Sequence, residues 1–406
     1  MKKILILGAG FSGLHIFYKL RHLIGKKIEI TVIDKRSHAL LKPALPEIAL
    51  EGAPLSHSLV ELAHTLESRG ATFIQNEVHL IEADLNRVIL KGGEEVVYDY
   101  LFVTLGAVKD YDAIKGFNEY GYSICDDVEA QKLWKKVQTF GGGQIVTGAA
   151  KSYWGSRVKA PELSAPCEGP IGEVMFMLDH YLSKDNGQKR SKEYKIDVFT
   201  PSEVFFEDVG DKPHELIGKF MLEKEMHLHH NKILKEIGKN FVSFDDGTQI
   251  PCDLAIVIPP YAAPDVILDS KLGDEKGFIP TDTNMRHLDY KNIFAAGDIT
   301  ALAQPKLGHI AIIQGAISAA NLMKELGEDI EIPAHDLEVF CIMNMGGHEA
   351  TLIASDVLYG GKKDMALHSP MAKMMKWSFD NYLYFNKGHM PPDWALKMTD
   401  KLTEMI

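Results

Sequence analysis

The stretch KKILILGAGFSG, residues 2–13, is an aliphatic run that breaks into three glycines spaced as GxGxxG. A helical pattern continues from it to about residue 23, and IEITVID at 28–34 is a second apolar run of strand length. Strand, glycine turn, helix and strand in this order form the first βαβ unit of a doubly wound parallel sheet. Gly8 permits the tight turn, Gly10 lets backbone N–H groups approach a pyrophosphate, and Gly13 lets the helix pack on the strand. Phe11 and Ser12 stand between them at the helix N-terminus, whose field favours phosphate. Asp34 ends the second strand, where a carboxylate can accept hydrogen bonds from an adenosine ribose, and Lys35 follows it. A lone GxGxxG can be a purely structural turn; the strand context and Asp34 select dinucleotide binding.

Working outward, short apolar runs recur at 100–106, 143–148, 194–199 and 254–258, with another strand end in KNIFAAGDIT at 291–300. Helical patterns fall near 56–69, 126–137, 171–184 and 309–326, and the polar KDNGQKRSKEY at 184–194 reads as an exposed loop. This alternation predicts an α/β fold of two interleaved Rossmann-like domains plus a C-terminal membrane-contacting module. The expected partition is 1–110 with 277–327, then 111–276, then 328–406. A length of 406 residues accommodates this, and a composition 46% apolar and 25% charged is that of an ordinary folded protein. A formal charge of -12 argues against a general nucleic-acid surface, so no nucleic-acid partner is expected. The first apolar run enters a glycine turn and has no small-residue cleavage region, and no uncharged stretch reaches the roughly 18 residues of a membrane span. The expectation is a chain that starts in the cytoplasm and meets a membrane only peripherally.

DYLFVTLGA at 99–107 and NIFAAGDIT at 292–300 resemble the second and third FAD motifs of flavoproteins with two dinucleotide-binding domains. The resemblance implies FAD as cofactor, with Thr104, Gly106, Gly297 and Asp298 around it and Asp298 at the ribityl or pyrophosphate part. The competing reading of Asp298 is an Asx turn or a helix cap, and the fit of the whole segment to the motif favours the cofactor. PKLGHIAIIQGAISAANL at 305–322 continues the likeness and places Lys306 and Gly308 at the cofactor. In the second domain, the strand at 143–148 leads into GAAKSYWG, where Lys151, Tyr153 and Trp154 crowd the place of a second glycine fingerprint. One FAD and no NAD(P)H site are therefore expected, so electrons enter from another donor.

Cys125, Cys167, Cys252 and Cys341 lack the close pairing of a zinc or thioredoxin-like site, and neither HExxH nor a closed Cys/His cluster selects a metal. An isolated cytoplasmic cysteine is ordinarily a small buried hydrophobe. However, GYSICDD around Cys125, SAPCEGPIGE around Cys167 and VFCIMNMGG around Cys341 resemble the three cysteine segments of sulfide:quinone oxidoreductases. That resemblance implies a redox pair of Cys167 and Cys341, with Cys341 facing the flavin. Their disulfide is the electrophile for HS⁻, and the products are zero-valent sulfur or polysulfide. A low thiolate pKa would favour turnover. Cys125 would assist sulfide entry or sulfur-chain handling, or be structural. Glu168 could move protons or be a solvated carboxylate at a helix start. Cys252 matches no such segment and reads as packed, and HLHH at 227–230 reads as a solvent face.

PMAKMMKWSFDNYLYFNKGHMPPDW, residues 370–394, is the best membrane-contacting stretch, with Lys373, Lys376 and Lys387 able to meet lipid phosphates while the aromatic residues enter the interface. By resemblance to the C-terminal quinone segment of the same family, Lys376 lies near a quinone oxygen and Phe379 lines the quinone ring. The competing reading is an amphipathic helix packed on the second domain or a dimer contact. KPALPEIALEG at 42–52 also resembles type II NADH dehydrogenases, which makes a type II NADH:quinone oxidoreductase one alternative. A flavocytochrome c sulfide dehydrogenase flavoprotein and a non-enzymatic flavoprotein scaffold are the others. The implied partners are sulfide and a membrane quinone on the cytoplasmic side, in a homo-oligomer.

Overall fold

A computed structural model describes residues 1–159, 163–183, 193–302, 305–333 and 337–391. Residues 184–192 of the expected loop and 392–406 of the expected C-terminal module lie outside them.

Strand β1 (Lys2–Leu7) runs into helix α1 (Phe11–Ile24) and β2 (Ile28–Asp34) as the glycine motif requires. Short helix α2 spans Leu45–Leu50; β3 is Thr72–Gln75 and β4 is Tyr100–Val103. After the two-residue strand β5 (Val108–Lys109) come β6 (Gly121–Tyr122), α3 (Asp127–Thr139) and β7 (Gly143–Ala149). Helix α4 (Gly169–Ser183) leads to β8 (Tyr194–Phe199), β9 (His227–His229), β10 (Leu254–Ile258) and the short β11 (Tyr261–Ala262). Strand β12 (Ile293–Ala295) and helix α5 (Gly308–Glu325) return to the first sheet. The last elements are β13 (Val339–Asn344), β14 (Ala350–Ser355), β15 (Asp364–Ser369) and helix α6 (Pro370–Phe385).

Two parallel sheets carry the architecture, in orders β12-β4-β1-β2-β3 and β6-β10-β7-β8-β9. Their central strands are apolar and buried on both faces, as parallel sheets covered by helices require. Helices α1 and α5 pack together over the first sheet, while α2 reaches across to α3 and α4 of the second. The two chain crossings between the sheets are themselves paired, because β5 and β11 run antiparallel with Val108 opposite Ala262 and Lys109 opposite Tyr261. The antiparallel sheet β13-β14-β15 follows, with Cys341 opposite Ile353, and α6 packs on it. Helix α6 starts where Ser369 caps it, accepting from the Ala372 N–H at 3.2 Å, with Pro370 in the first turn.

The helix expected over 56–69 is shorter. Residues 55–58 form a 3₁₀ turn, Leu59–Glu61 pairs as a strand with His38–Leu40, and only Leu62–Glu67 is helical. The apolar pair Leu59-Val60 finds a strand partner in Ala39-Leu40, so tertiary pairing overrides the local helical pattern. Glu61 then caps the remaining turn, accepting from the His64 N–H at 2.9 Å. The helix Asp211–Glu223 is an element that the apolar pattern did not single out.

Candidate active site

At the end of β1, Gly8 takes φ +92°, and a β-carbon there would run into the Thr104 carbonyl. One at Gly13 would strike the Gly8 carbonyl oxygen, whereas one at Gly10 would meet nothing within 4 Å. The first and third glycines therefore serve chain packing, and the second leaves backbone open at the helix N-terminus, a cradle suited to pyrophosphate. The Thr104 hydroxyl lies 2.8 Å from both the Leu7 and Gly8 carbonyls, and the Ser12 hydroxyl donates to the Ala311 carbonyl at 2.8 Å. Both side chains thus shape the cradle from behind. Asp34 accepts from the Ala9 N–H at 2.7 Å and the Arg36 N–H at 2.8 Å, and the Lys35 side chain is exposed. Gly106 and Gly297 take φ +70° and +86°, and the Gly297 N–H donates to Gln314 at 2.6 Å. Gly308 opens α5 beside the Phe11 ring.

Asp298 lies 3.8 Å from Lys42 Nζ and 3.9 Å from Lys109 Nζ. Burial pushes its carboxyl up, but Lys42, Lys109 and Lys306 together hold it below the usual range. Lys306 donates to the Thr300 and Leu302 carbonyls at 3.0 and 3.2 Å, and its own N–H donates to the Pro166 carbonyl at 2.9 Å. That last bond ties the third cofactor motif to the Cys167 loop.

In the second sheet, the connection from β7 to α4 carries Cys167 and Glu168 at the start of the helix, the place where a second fingerprint would present its turn. Cys341 reaches the same point from β13. A β-carbon built on Gly169 would sit 3.6 Å from the Cys341 sulfur and 3.8 Å from the Cys167 sulfur. The two expected partners therefore converge on one glycine, and all four cysteines are thiols in this structure. Burial, with Asp208 and Cys341, pushes the Cys167 thiol well up; burial, with Glu173, pushes Cys341 up to about 12. A low thiolate pKa, which would favour turnover, is thus not what these surroundings provide, because the apolar shell penalises charge more than the Gly169 N–H and Lys376 favour it. Cys125 is buried too, beside Lys109 and Ser123. Cys252 packs in the core with Phe244 and Val257.

Glu168 is only 2% exposed, which rules out the solvated alternative. The Phe206 N–H donates to it at 2.7 Å, yet burial outweighs this and Thr200 and raises its pKa to about 8. Lys109, Tyr261, Lys42, Asp208, Glu47 and Glu173 were not singled out by sequence. The only signal for the first was its place just beyond the TLGA turn.

Lys376 is 5% exposed and sits in a buried ionic cluster, so it does not meet lipid phosphate. Its Nζ donates to the Pro43 carbonyl at 2.6 Å and lies 3.1 Å from Glu47, 3.3 Å from Asp380 and 4.0 Å from Glu173. Lys373 turns inward as well, 3.6 Å from Glu51. Burial opposes the Lys376 charge, but Glu47, Glu173 and Asp380 override it and raise its pKa. Glu173 accepts from the Asn344 N–H at 3.0 Å and is pushed up to about 8, chiefly by burial. The face of α6 turned to solvent instead carries Met374, Trp377 and Phe385 at 61, 65 and 71% exposure. Phe379 is half-buried and packs against the core containing Leu14 and Leu383. Among the described residues no helix is long and apolar enough to cross a membrane.

Residues 2–320 match the pyridine nucleotide-disulphide oxidoreductase family. The chain belongs to that family. It is a flavin-dependent oxidoreductase whose cofactor is FAD, and the cradle at Gly10, the glycines at 106 and 297, and the buried charge of Asp298 fit that group. This oxidoreductase is similar to the sulfide-quinone reductase of Aquifex aeolicus, with 24% identity over 425 residues that cover 98% of this chain and 94% of that protein. The X-ray structure of that organism's sulfide:quinone oxidoreductase shares the fold, with TM-score 0.86 at 22% identity, covering 98% of this chain and 94% of that one. A type II NADH:quinone oxidoreductase of Staphylococcus aureus is 24% identical over 421 residues, 95% of this chain and 96% of that protein.

The raised carboxyls have a thermodynamic consequence. Glu168 and Glu173 at about 8 and Asp208 at about 6 hold protons in the folded state that the unfolded chain releases. The stability they contribute is full below the ordinary carboxyl range and is lost as pH rises through those values. Lys109 and Lys306, lowered by burial to about 7 and about 8, act in the opposite sense only above them. The thermal midpoint of the holoprotein is therefore expected to fall from about pH 5 to about pH 7, with Glu168→Gln flattening part of the slope. Calorimetry across that range checks it; a rising midpoint would contradict the assignment.

Proposed function

We propose that this flavoprotein oxidises sulfide and passes the electrons to a membrane quinone. The observation that carries the reading is the convergence of the Cys167 and Cys341 sulfurs on Gly169, at the helix start tied through Lys306 to the third cofactor motif. A disulfide between them is the electrophile. HS⁻ forms a new S–S bond to Cys167, the Cys167–Cys341 bond breaks, and its electron pair leaves on Cys341 as thiolate. A second HS⁻ takes the outer sulfur away as the disulfide or polysulfide product. Two cysteine sulfurs remain, and their re-joining releases two electrons. FAD, when bound, accepts electrons as a pair and can deliver them to a quinone.

The apolar shell that disfavours thiolate makes the Cys341 anion readier to give up its pair. Glu168, protonated near neutrality and beside Cys167, can donate its proton to the thiolate that HS⁻ attack releases. On the acceptor side, the Lys376 ammonium and protonated Glu173 form a buried proton-bearing pair suited to a quinone oxygen. The exposed Met374, Trp377 and Phe385 suit a lipid interface, where a quinone tail resides.

Anaerobic mixing of the holoprotein with sulfide, and separately with NADH, tests this reading through the oxidised flavin band. The expected result is bleaching by sulfide and recovery with quinone in vesicles. Bleaching by NADH alone would move the protein to the type II dehydrogenase reading.

A further inference from the structure

We propose that the cleft between the C-terminal ends of α1 and α6 holds the phosphate of an anionic membrane lipid, whose acyl chains lie along the exposed apolar stripe of α6. The proposal rests on α6 meeting a membrane and not on sulfide being the donor. The cleft has a volume of about 310 Å³, at the lower end of the roughly 300–1,000 Å³ of small-ligand sites. Tyr18, Arg21 and His22 line it from α1, Arg69 from the turn before β3, and Phe385 and His389 from the end of α6. It lies at the far end of α1 from the Gly10 cradle, roughly 16 Å along the helix axis, and is a separate site.

Tyr18, Arg21 and His22 stand at i, i+3 and i+4, one face of α1. The Tyr18 hydroxyl donates to the Lys387 carbonyl at 2.8 Å, and the His389 ring stands 4.4 Å from the Tyr18 ring. These contacts fasten the end of α6 to α1 and bring the Arg69 guanidinium to 5.5 Å from the centre of the same ring. Arg21 donates to the Gly25 and Gly70 carbonyls at 2.7 and 2.9 Å, a helix-capping role that also fixes its charge in place. Arg69 spends only Nη1, on the Thr65 carbonyl and the Ser68 hydroxyl, so its Nε and Nη2 donate to no described residue. No carboxylate is among the described residues that line the cleft. Burial pushes the His389 imidazole down, and Arg69, His22 and Lys19 push it the same way. Positive charge thus gathers in one concave place on a protein whose formal charge is -12, and forked arginine donors suit phosphate.

The apolar neighbour of the cleft selects a lipid as the source of that phosphate. Met371, Met374, Trp377 and Phe385 are all exposed and fall within an arc of about 120° on α6. Phe385 belongs to both features, ending the stripe and lining the cleft. A lipid joins an apolar chain to an anionic head in the same way, whereas a soluble phosphate would make no use of the stripe.

The test is co-sedimentation of the FAD-loaded protein with phosphatidylcholine vesicles, with and without phosphatidylglycerol, at fixed ionic strength. Wild type is expected to bind both and to favour the anionic vesicles. Arg69→Gln is expected to lose roughly fivefold in affinity for the anionic vesicles and nothing for the zwitterionic ones. His22→Glu, at an exposed position, puts a carboxylate in the cleft and is expected to lose at least as much. Lys239→Gln, a like change of charge at an exposed site of the second domain, is expected to leave both affinities as they are. Equal affinity of wild type for the two vesicle types would overturn the proposal, as would equal losses in Arg69→Gln and Lys239→Gln. Calorimetric titration with inorganic phosphate separates the sources: heat that Arg69→Gln abolishes, with its vesicle affinities unchanged, would overturn the lipid in favour of a soluble anion. Wild type that binds neither vesicle would overturn the membrane reading of α6 and the proposal with it.

Discussion

Cys167→Ala and Cys341→Ala are each expected to lower sulfide-dependent flavin reduction by roughly 10³-fold or more, while FAD stays bound and the protein stays folded. Either substitution removes one end of the electrophilic bond, so HS⁻ has no leaving thiolate to expel. The double variant should be little worse than either single one, because residues that act as one unit are not additive. Truncating a small thiol beside Gly169 removes little volume. Stopped-flow bleaching, with FAD content read from the same spectrum, checks the prediction. A single variant that retained the normal rate would eliminate the disulfide route. Cys125→Ala separates the roles further: a loss confined to product release, with the first bleaching phase intact, would place it in sulfur-chain handling.

Lys376→Met is expected to act on the other half of the reaction and on stability together. Glu47 would be left as a buried carboxylate without its cation, beside Asp380 and the protonated Glu173. Removing one partner of such a buried pair costs about 3–5 kcal/mol, most of it from the charge left behind. Chemical denaturation should show that loss, and Glu47→Gln in the same chain should recover part of it because the stranded charge is removed. The flavin should still bleach with sulfide at a near-normal rate, whereas its reoxidation by quinone should slow on the order of 10²-fold. A variant as stable as wild type and equally fast with quinone would remove Lys376 from the acceptor site. This split between half-reactions distinguishes a role at the quinone from a general weakening of the fold.

The first βαβ unit was legible because its determinants are local. A strand, three glycines at fixed offsets and a helix lie within 24 consecutive residues, and each glycine acts on a neighbour fixed by backbone geometry. The two later cofactor motifs and the three cysteine segments were legible as resemblance. The short helix at 62–67 was misjudged in extent because its flank pairs with a strand some 20 residues earlier. Lys373 and Lys376 read as lipid-facing because a helical pattern in Lys, Met and aromatic residues looks the same whichever face is buried. The carboxylates of α2 and α4, remote in sequence, join Asp380 in turning Lys376 inward.

By itself, then, the sequence determined the glycine cradle, the alternating α/β order and the identity of the cysteines, all of which depend on neighbours along the chain. The tertiary structure alone decided that Cys167 and Cys341, 174 residues apart, share one glycine, that Glu168 is buried, and that Lys109 faces Tyr261 across the paired crossings. Burial and charge balance depend on which distant segments close around a side chain. Those contacts form only when the two sheets and the C-terminal strands have packed together.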